Sequence, residues 1–329
     1  MRSRMEIKMK IAMAQFDAEL FKVQNNQKKA EKYINRAIEE GAEMILFPEF
    51  FTTGFALHRK LYEAVLQNIE IRNWIQNLSR EKKVILGGSW LEYDREKQNT
   101  YNTYGLFFPT GEQFFHRKDI PTAIENFCYT NGDEQMLFDT PIGRVGIAMC
   151  WEQLRTVTLK RMLGKVDLVV AGSCWWGFAK EDGEVSSILS EENRKLADKA
   201  PGNLARMLGK PVYHSSIYGS YEGGSLMDIN KNCIRNIESR SMAFDKDGKR
   251  MNDCLDIPGI VYADYMKEEQ TKEHINEQEI MDIQDSYWLM AMSKPLESGF
   301  NMLNQKYHEF YEKTGRCIYR KMFGDFENE

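Results

Sequence analysis

The stretch Gly143-Arg-Val-Gly-Ile-Ala-Met-Cys-Trp-Glu152 is a short apolar run that stops at a cysteine. Residues Arg144–Met149 have the length and apolar character of a buried strand. A helix is predicted over Glu152–Leu163, because a glycine follows and would end it. The stretch therefore predicts a strand–turn–helix unit with Cys150 at the carboxyl end of the strand.

The same alternation of apolar strands and amphipathic helices extends over residues 1–265, which indicates an α/β fold. Other strands are predicted at Met9–Gln15, Met44–Phe47, Val84–Gly88, Asp167–Ala171, Pro211–Ile217, Ser241–Phe244 and Ile260–Asp264, with a hairpin formed by Thr100–Phe108 and Gln113–Lys118. Helices are predicted at Asn25–Glu40, Leu61–Arg80 and Glu191–Gly209, the last one broken at Pro201. We expect a domain over residues 1–265 and a polar C-terminal extension, residues 266–329, that packs on this domain or on another subunit.

Composition excludes several classes of protein. The chain has 329 residues, 42% of them hydrophobic, which is enough for a large folded core. No apolar run approaches the roughly 20 residues of a membrane-spanning helix, so we expect no membrane contact and a cytoplasmic location. The 44 basic and 49 acidic residues are interspersed, which argues against a nucleic-acid partner. Six scattered cysteines lack zinc-ligand spacing and are predicted to be free thiols, with no bound metal.

Three polar residues follow predicted strands, where ligands of open α/β sheets gather. Glu49 follows the apolar run that stops at Pro48, Lys118 ends the second strand of the hairpin, and Cys150 ends its own strand. A thiol at a strand-to-helix turn lies near backbone N–H groups, and positive potential there would lower its pKa. Each residue alone also has an ordinary structural explanation, but together they predict one site.

At these residues the chain resembles the nitrilase superfamily of carbon–nitrogen hydrolases. The resemblance extends from about Lys8 to Asp264 and rests on ordered motifs. These are Phe47-Pro-Glu49-Phe, Tyr101-Asn102-Thr103, His116-Arg-Lys118-Asp-Ile-Pro-Thr122 and the cysteine stretch quoted above.

The resemblance implies a four-layer α-β-β-α sandwich of two similar halves, often dimerised, so a homodimer or higher homo-oligomer is expected. It implies that Glu49 is the general base, that Cys150 is the nucleophile and that Lys118 stabilises developing negative charge. Glu125 falls where the family has a second, positioning glutamate. The backbone N–H of Trp151 would complete the oxyanion site, and no cofactor is required.

The substrate is less well defined by the sequence. Trp175 and Trp176 are candidates for the wall of an apolar substrate site, with core packing as the alternative. Related enzymes that bind carboxylate-bearing amides tend to have an arginine four residues after the cysteine, where this chain has Leu154. Arg155 is one position further, and on a helix that step rotates the side chain by about 100°.

The leading hypothesis is hydrolysis of a small amide or carbamoyl compound through a cysteine thioester, with release of ammonia. The main alternative is a nitrilase that converts a nitrile into a carboxylic acid and ammonia. A catalytically silent scaffold is an alternative of another class. A third possibility uses Glu49, Glu125 and Glu152 as ligands of a divalent ion.

Overall fold

The computed structural model describes residues 8–267, except for residues 59, 123–124, 127, 134, 180–183 and 225–231. The predicted C-terminal extension, residues 266–329, therefore lies outside the described residues apart from its first two positions. Within the described part, no helix is long and apolar enough to cross a membrane.

The described elements alternate as the sequence predicts. The strands are β1 (Lys8–Phe16), β2 (Met44–Leu46), β3 (Ile85–Asp94), β4 (Asn99–Phe107), β5 (Gln113–Arg117), β6 (Leu137–Thr140), β7 (Gly143–Met149), β8 (Leu168–Ser173), β9 (Val212–Ile217), β10 (Ser220–Gly224), β11 (Asn232–Asn236), β12 (Met242–Phe244) and β13 (Gly259–Met266). The helices are α1 (Val23–Glu39), α2 (Lys60–Gln67), α3 (Ile71–Lys82), α4 (Thr156–Met162) and α5 (Glu184–Leu208), and a 3-10 helix spans Cys150–Leu154.

The main sheet consists of two similar halves. The strand order is β5-β4-β3-β2-β1-β9-β8-β7-β6, with β13 antiparallel to β1 and β12 antiparallel to β9. The two halves are joined by hydrogen bonds where β1 and β9 pair in parallel, at Gln15–Ser216 and Phe16–Ile217. Strands β10 and β11 form a separate antiparallel hairpin.

Alternating side chains divide the interior into three hydrophobic layers. On β1, Ala12 and Ala14 pack in a cluster with residues of α1, α2 and α3, whereas Ile11 and Met13 face the opposite way. The cluster around Ile11 and Met13 also contains residues of β7, β8 and β9, so the two halves of the sheet pack face to face. A third cluster joins those strands to α4 and α5. The structure thus confirms the predicted α-β-β-α sandwich.

Three predicted helices differ from the observed ones. The segment predicted as one helix over Leu61–Arg80 is divided into α2 and α3, and the first turn after β7 is a 3-10 helix rather than α-helix. Helix α5 continues through Pro201, although proline lacks the N–H that would bond to the Ala197 carbonyl. Ala197, Ala200 and Leu204 are fully buried against the sheet, and this packing outweighs the lost hydrogen bond.

Candidate active site

The polar residues predicted from strand ends lie at the ends of β2, β5 and β7. Glu49 comes three residues after the end of β2, Lys118 directly follows β5, and Cys150 directly follows β7. The Glu49 and Lys118 side chains have no exposed area, and Cys150 is 1% exposed. Because strands of both halves supply these residues, the site lies between the two halves of the sandwich.

The Lys118 ammonium group lies between two buried carboxylates. Its Nζ donates to Glu49 Oε1 at 2.9 Å and to Glu125 Oε2 at 2.7 Å. Burial lowers the pKa of Lys118, but Glu125 and Glu49 more than compensate and raise this pKa well above its ordinary value. Lys118 therefore remains charged, and two negative groups share one positive partner.

Glu49 is oriented by two further donors. The side-chain amide of Asn102 donates to Oε1 at 2.8 Å, and the backbone N–H of Cys174 donates to Oε2 at 2.9 Å. Burial raises the pKa of the Glu49 carboxyl group, while Lys118 lowers it and Glu125 raises it again; the net shift is upward. A buried glutamate with a raised pKa is a stronger base than an exposed one.

Glu125 is fixed through one of its two oxygens. Oε2 accepts hydrogen bonds from Lys118, from the Thr122 backbone N–H at 2.8 Å and from the Tyr129 hydroxyl group. The other oxygen, Oε1, is buried and has no hydrogen-bond partner among the described residues. The contacts at Oε2 hold Glu125 in place beside Lys118.

Cys150 lies on a strained elbow between β7 and the 3-10 helix. Its φ angle is +47°, a left-handed conformation that costs a non-glycine residue on the order of 1–3 kcal/mol. Burial raises the pKa of the Cys150 thiol well above its ordinary value; Glu49 raises it further, whereas Lys118 lowers it. The predicted lowering of this pKa is therefore wrong, because desolvation exceeds the attraction of the single lysine. The resting group is a thiol that needs a base.

A buried ion pair connects the cysteine elbow to the lysine segment. Both ring nitrogens of His116 face acceptors, the Gln135 carbonyl at 2.7 Å and the Glu152 carboxylate at 3.0 Å. Burial lowers the pKa of His116, but Glu152 outweighs this effect and the net shift is upward. Glu152 also accepts the backbone N–H groups of Met149 and Asp119, each at 2.8 Å. The pair thus fixes the backbone of Met149 next to Cys150 and of Asp119 next to Lys118.

Arg155 stabilises the same region of the lysine segment rather than lining a substrate pocket. Its guanidinium group binds a carboxylate oxygen of Asp119 and donates to the Ile120 carbonyl at 2.9 Å. Arg161 binds the other oxygen of Asp119 at 3.1 Å. The pKa of Asp119 is raised to about 6, mainly by burial and next by the negative charge of Glu152.

The three tryptophans named from the sequence as candidates have different surroundings. Trp175 is 1% exposed, belongs to the core beside α5 and donates its indole N–H to Asn193 at 2.8 Å. Trp151 is half-buried and packs against Trp175, with 5.9 Å between the ring centroids. Trp176 is half-buried and lines a pocket. The position of Trp175 favours the core-packing alternative, and that of Trp176 favours a substrate wall.

The three glutamates proposed as metal ligands are all bound to basic side chains. The Lys118 ammonium separates Glu49 from Glu125, and Glu152 is bound to His116. Among the residues that the structure describes, no group of three or more histidine, cysteine or acidic side chains is placed to hold a metal ion. The divalent-ion hypothesis therefore lacks a ligand set in this part of the chain.

Sequence reasoning missed two groups that orient Glu49. Asn102 belongs to a motif that the resemblance already included, but its role depends on a contact between strands far apart in sequence. Ser89 Oγ donates to Asn102 Oδ1 at 2.6 Å, which fixes the amide so that its N–H group points at Glu49. The Cys174 N–H is a backbone group, and no residue type signals it.

We expect Asn102→Leu to move the acidic limb of the kcat/KM profile to higher pH. The Asn102 N–H stabilises the charged form of Glu49, so its loss raises the pKa of the base. A hydrogen bond to a charged group corresponds to a shift of about one pH unit. Ser89→Ala, which leaves the amide in place but removes its fixed orientation, should give a smaller shift in the same direction. An unchanged acidic limb in Asn102→Leu would show that Asn102 does not tune this carboxylate.

Comparison with known proteins agrees with the fold. The chain belongs to the carbon–nitrogen hydrolase family, whose family model matches residues 10–265. Nitrilase 1 of Arabidopsis thaliana is 35% identical over 147 residues, which are 38% of this chain and 42% of that enzyme. The match thus spans less than half of the length of this curated relative.

Solved structures show the same fold at lower sequence identity. A carbon–nitrogen hydrolase from Helicobacter pylori G27 has a TM-score of 0.65 at 16% identity, covering 86% of this chain and 92% of that one. An amidase from Nesterenkonia sp. AN1 has a TM-score of 0.62 at 17% identity, covering 83% and 95% of the two chains. The resemblance inferred from the motifs is therefore confirmed at the level of the family.

Proposed function

We propose that this protein hydrolyses a small amide or carbamoyl compound through a thioester on Cys150, with release of ammonia. The observation that supports this most is the buried cluster of Glu49, Lys118 and Glu125 within electrostatic range of the Cys150 thiol. Membership of the carbon–nitrogen hydrolase family supports the same reaction class.

In the proposed reaction Glu49 takes the thiol proton as the sulfur of Cys150 attacks the carbonyl carbon. Because burial raises the pKa of the thiol, we expect proton transfer to accompany the attack rather than to precede it. The Lys118 ammonium stabilises the oxyanion that forms on the carbonyl oxygen. The protonated Glu49 then gives its proton to the leaving nitrogen, the carbon–nitrogen bond breaks, and ammonia and a thioester result.

The second half of the reaction uses the same groups. Glu49, again a carboxylate, takes a proton from water, and the hydroxide adds to the thioester carbon. The carbon–sulfur bond breaks, the acid is released, and Glu49 returns the proton to the Cys150 sulfur. The sum is one amide and one water converted into one carboxylic acid and one ammonia.

A nitrile is the second candidate substrate, because the curated relatives include nitrilases from Arabidopsis thaliana and from Pyrococcus abyssi. Attack on a nitrile carbon gives a thioimidate, which one water converts into the thioester and ammonia. A second water releases the acid as above. The two substrates therefore share Cys150 and the thioester but differ in the first addition step.

The substrate prediction is tested with amides and nitriles that carry the same acyl group. We expect ammonia and the matching acid from at least one amide, and an acyl adduct on Cys150 detected by intact mass. Acid and ammonia from the nitriles alone would establish the second candidate. No ammonia from either panel and no labelling of Cys150 by acyl or nitrile probes would favour the silent scaffold and overturn the proposal.

Assembly and location remain proposals as well. We propose a homodimer or higher homo-oligomer in the cytoplasm, supported by the assembly usual in the family. Sedimentation velocity of the full chain tests the first part, and a monomer at micromolar concentration would contradict it.

A further inference from the structure

Three buried polar side chains form a chain of hydrogen bonds that ends at the Cys150 elbow. They are Gln153 in the 3-10 helix, Ser173 at the end of β8 and His214 on β9, and none of them has exposed area. Gln153 Nε2 donates to the Cys150 carbonyl at 3.2 Å and to Ser173 Oγ at 3.3 Å. Ser173 Oγ in turn lies 2.8 Å from His214 Nε2. Two strands of the sheet are thereby connected to the Cys150 carbonyl.

The direction of each hydrogen bond in this chain follows from its far end. His214 Nδ1 faces the Arg240 carbonyl at 3.0 Å, and because a carbonyl group only accepts, Nδ1 carries a proton. Burial lowers the pKa of His214 to about 4, so the ring is neutral near pH 7 and its Nε2 is an acceptor. The Ser173 hydroxyl group therefore donates to this nitrogen, and its oxygen accepts from Gln153. Gln153 Nε2 consequently faces two acceptors, which its two N–H groups match.

Cys150 needs support of this kind because its backbone is strained. A non-glycine residue at φ +47° persists where its surroundings hold it there. Glu152 accepts the Met149 N–H on one side of the elbow, and Gln153 donates to the Cys150 carbonyl on the other side. Without the second contact the elbow can relax toward a negative φ, which changes the direction of the Cα–Cβ bond. The sulfur atom would then move relative to Glu49.

The same chain reaches the segment that orients Glu49. Ser173 directly precedes Cys174, whose backbone N–H donates to Glu49 Oε2 at 2.9 Å. Burial of three polar side chains has a desolvation cost that apolar residues in the same space would avoid. Packing alone therefore does not account for these residue types, whereas the need to fix the two segments beside the site does.

We propose that Gln153 is a positioning residue that holds Cys150 in its reactive conformation, and that Ser173 and His214 act by orienting the Gln153 amide group. This inference rests on the proposed role of Cys150 as nucleophile and adds the residues that place its sulfur. The role depends on Nε2, because Gln153 Oε1 has no hydrogen-bond partner among the described residues.

Gln153→Met tests the role of the amide, because methionine fills a similar volume without an N–H group. We expect kcat/KM to fall about 10- to 100-fold, since a small misplacement of a reacting atom costs up to this much. Ser173→Ala keeps the amide but removes its fixed acceptor, so its loss should be smaller. It also replaces Gln153→Met in all measurements if that variant does not fold. A wild-type kcat/KM in Gln153→Met would overturn the proposal.

Gln76→Met is the matched control. Gln76 on α3 is 4% exposed, its Nε2 donates to the Phe108 carbonyl at 3.0 Å, and its Oε1 likewise has no hydrogen-bond partner in the described part of the chain. The variant removes the same kind of buried hydrogen bond, so we expect a similar loss of unfolding free energy but wild-type turnover. If Gln76→Met loses as much turnover as Gln153→Met, general destabilisation explains both results and the proposal is overturned.

Alkylation of Cys150 by iodoacetamide tests the geometry without any substrate. The rate is measured by peptide mass in the wild type, Glu49→Gln, Gln153→Met and the double variant. Because the thiol must lose its proton to Glu49, we expect Glu49→Gln to slow the reaction of the wild type. If Gln153 keeps the thiol beside this base, the double variant should react within about twofold of Gln153→Met. Losses that multiply in the double variant would show that Gln153 does not act through the Cys150–Glu49 contact, and this would overturn the proposal.

These measurements separate the inference from the proposed function. If no amide or nitrile yields ammonia, the proposed function fails, whereas coupled alkylation rates still support the positioning of the Cys150 thiol by Gln153. If ammonia release depends on Cys150 but Gln153→Met is alkylated and turns over like the wild type, the proposed function stands and this inference is overturned.

Discussion

Replacement of Cys150 by alanine is expected to lower ammonia release by about 10⁴-fold or more, the loss seen when a covalent nucleophile is removed. The thiol lies within electrostatic range of both Glu49 and Lys118, and alanine leaves neither a nucleophile nor a proton for the base. The free energy of unfolding should change little, because alanine occupies the same elbow and removes one small buried group. Turnover is measured together with denaturant unfolding.

Cys174→Ala is the matched control for this variant. Cys174 is also a fully buried thiol beside Glu49, but it holds the carboxylate through its backbone N–H, which alanine retains. We expect this variant to keep most of the activity and to lose no acyl labelling at Cys150. Turnover in Cys150→Ala, or an equal loss in Cys174→Ala, would contradict the assignment of Cys150 as nucleophile.

The positions of Glu49, Lys118 and Cys150 could be predicted from the sequence, because each residue lies within three positions of the end of a strand. The end of a strand is a local property, indicated by an apolar run that stops, and parallel strands of one layer end on the same side. Glu125, by contrast, was placed only through the family resemblance. Its backbone lies in a short 3-10 turn, where no periodic pattern predicts the direction of a side chain.

The electrostatics of the site could not be predicted in the same way. The strand-to-helix turn at Cys150 suggested a lowered thiol pKa, because helix starts and lysines both attract negative charge. Burial and the two carboxylates nearby instead raise the pKa of this thiol well above its ordinary value. Burial of one atom depends on the packing of the whole sandwich, which residue spacing does not encode.

Contacts between distant segments account for the other differences. Asn102 on β4 and the Cys174 backbone both reach Glu49, and these contacts join positions 53 and 125 residues from it. Helix α5 similarly continues through Pro201 because of buried tertiary contacts. In each case the outcome depends on packing between distant elements, which the local sequence does not specify.

Replacement of Lys118 by methionine is expected to abolish activity and to destabilise the fold. The variant leaves Glu49 and Glu125 buried without their shared positive partner, an arrangement that costs on the order of 3–5 kcal/mol. The pKa of Glu49 would then rise further, because burial and the nearby Glu125 carboxylate are no longer opposed by Lys118. A protonated Glu49 cannot take the thiol proton, and the oxyanion loses its cation, which alone is worth about 10²–10³-fold in kcat.

The double variant Lys118→Met/Glu125→Gln separates the two effects. Glutamine removes one of the two negative charges while keeping the shape of Glu125, so we expect much of the lost unfolding free energy to return. Activity should not return, because the oxyanion still has no cation. If the double variant is as unstable as Lys118→Met, unpaired charge is not the cause of the destabilisation. If the double variant regains turnover, Lys118 acts only by balancing the charges of the two glutamates and not by stabilising the transition state.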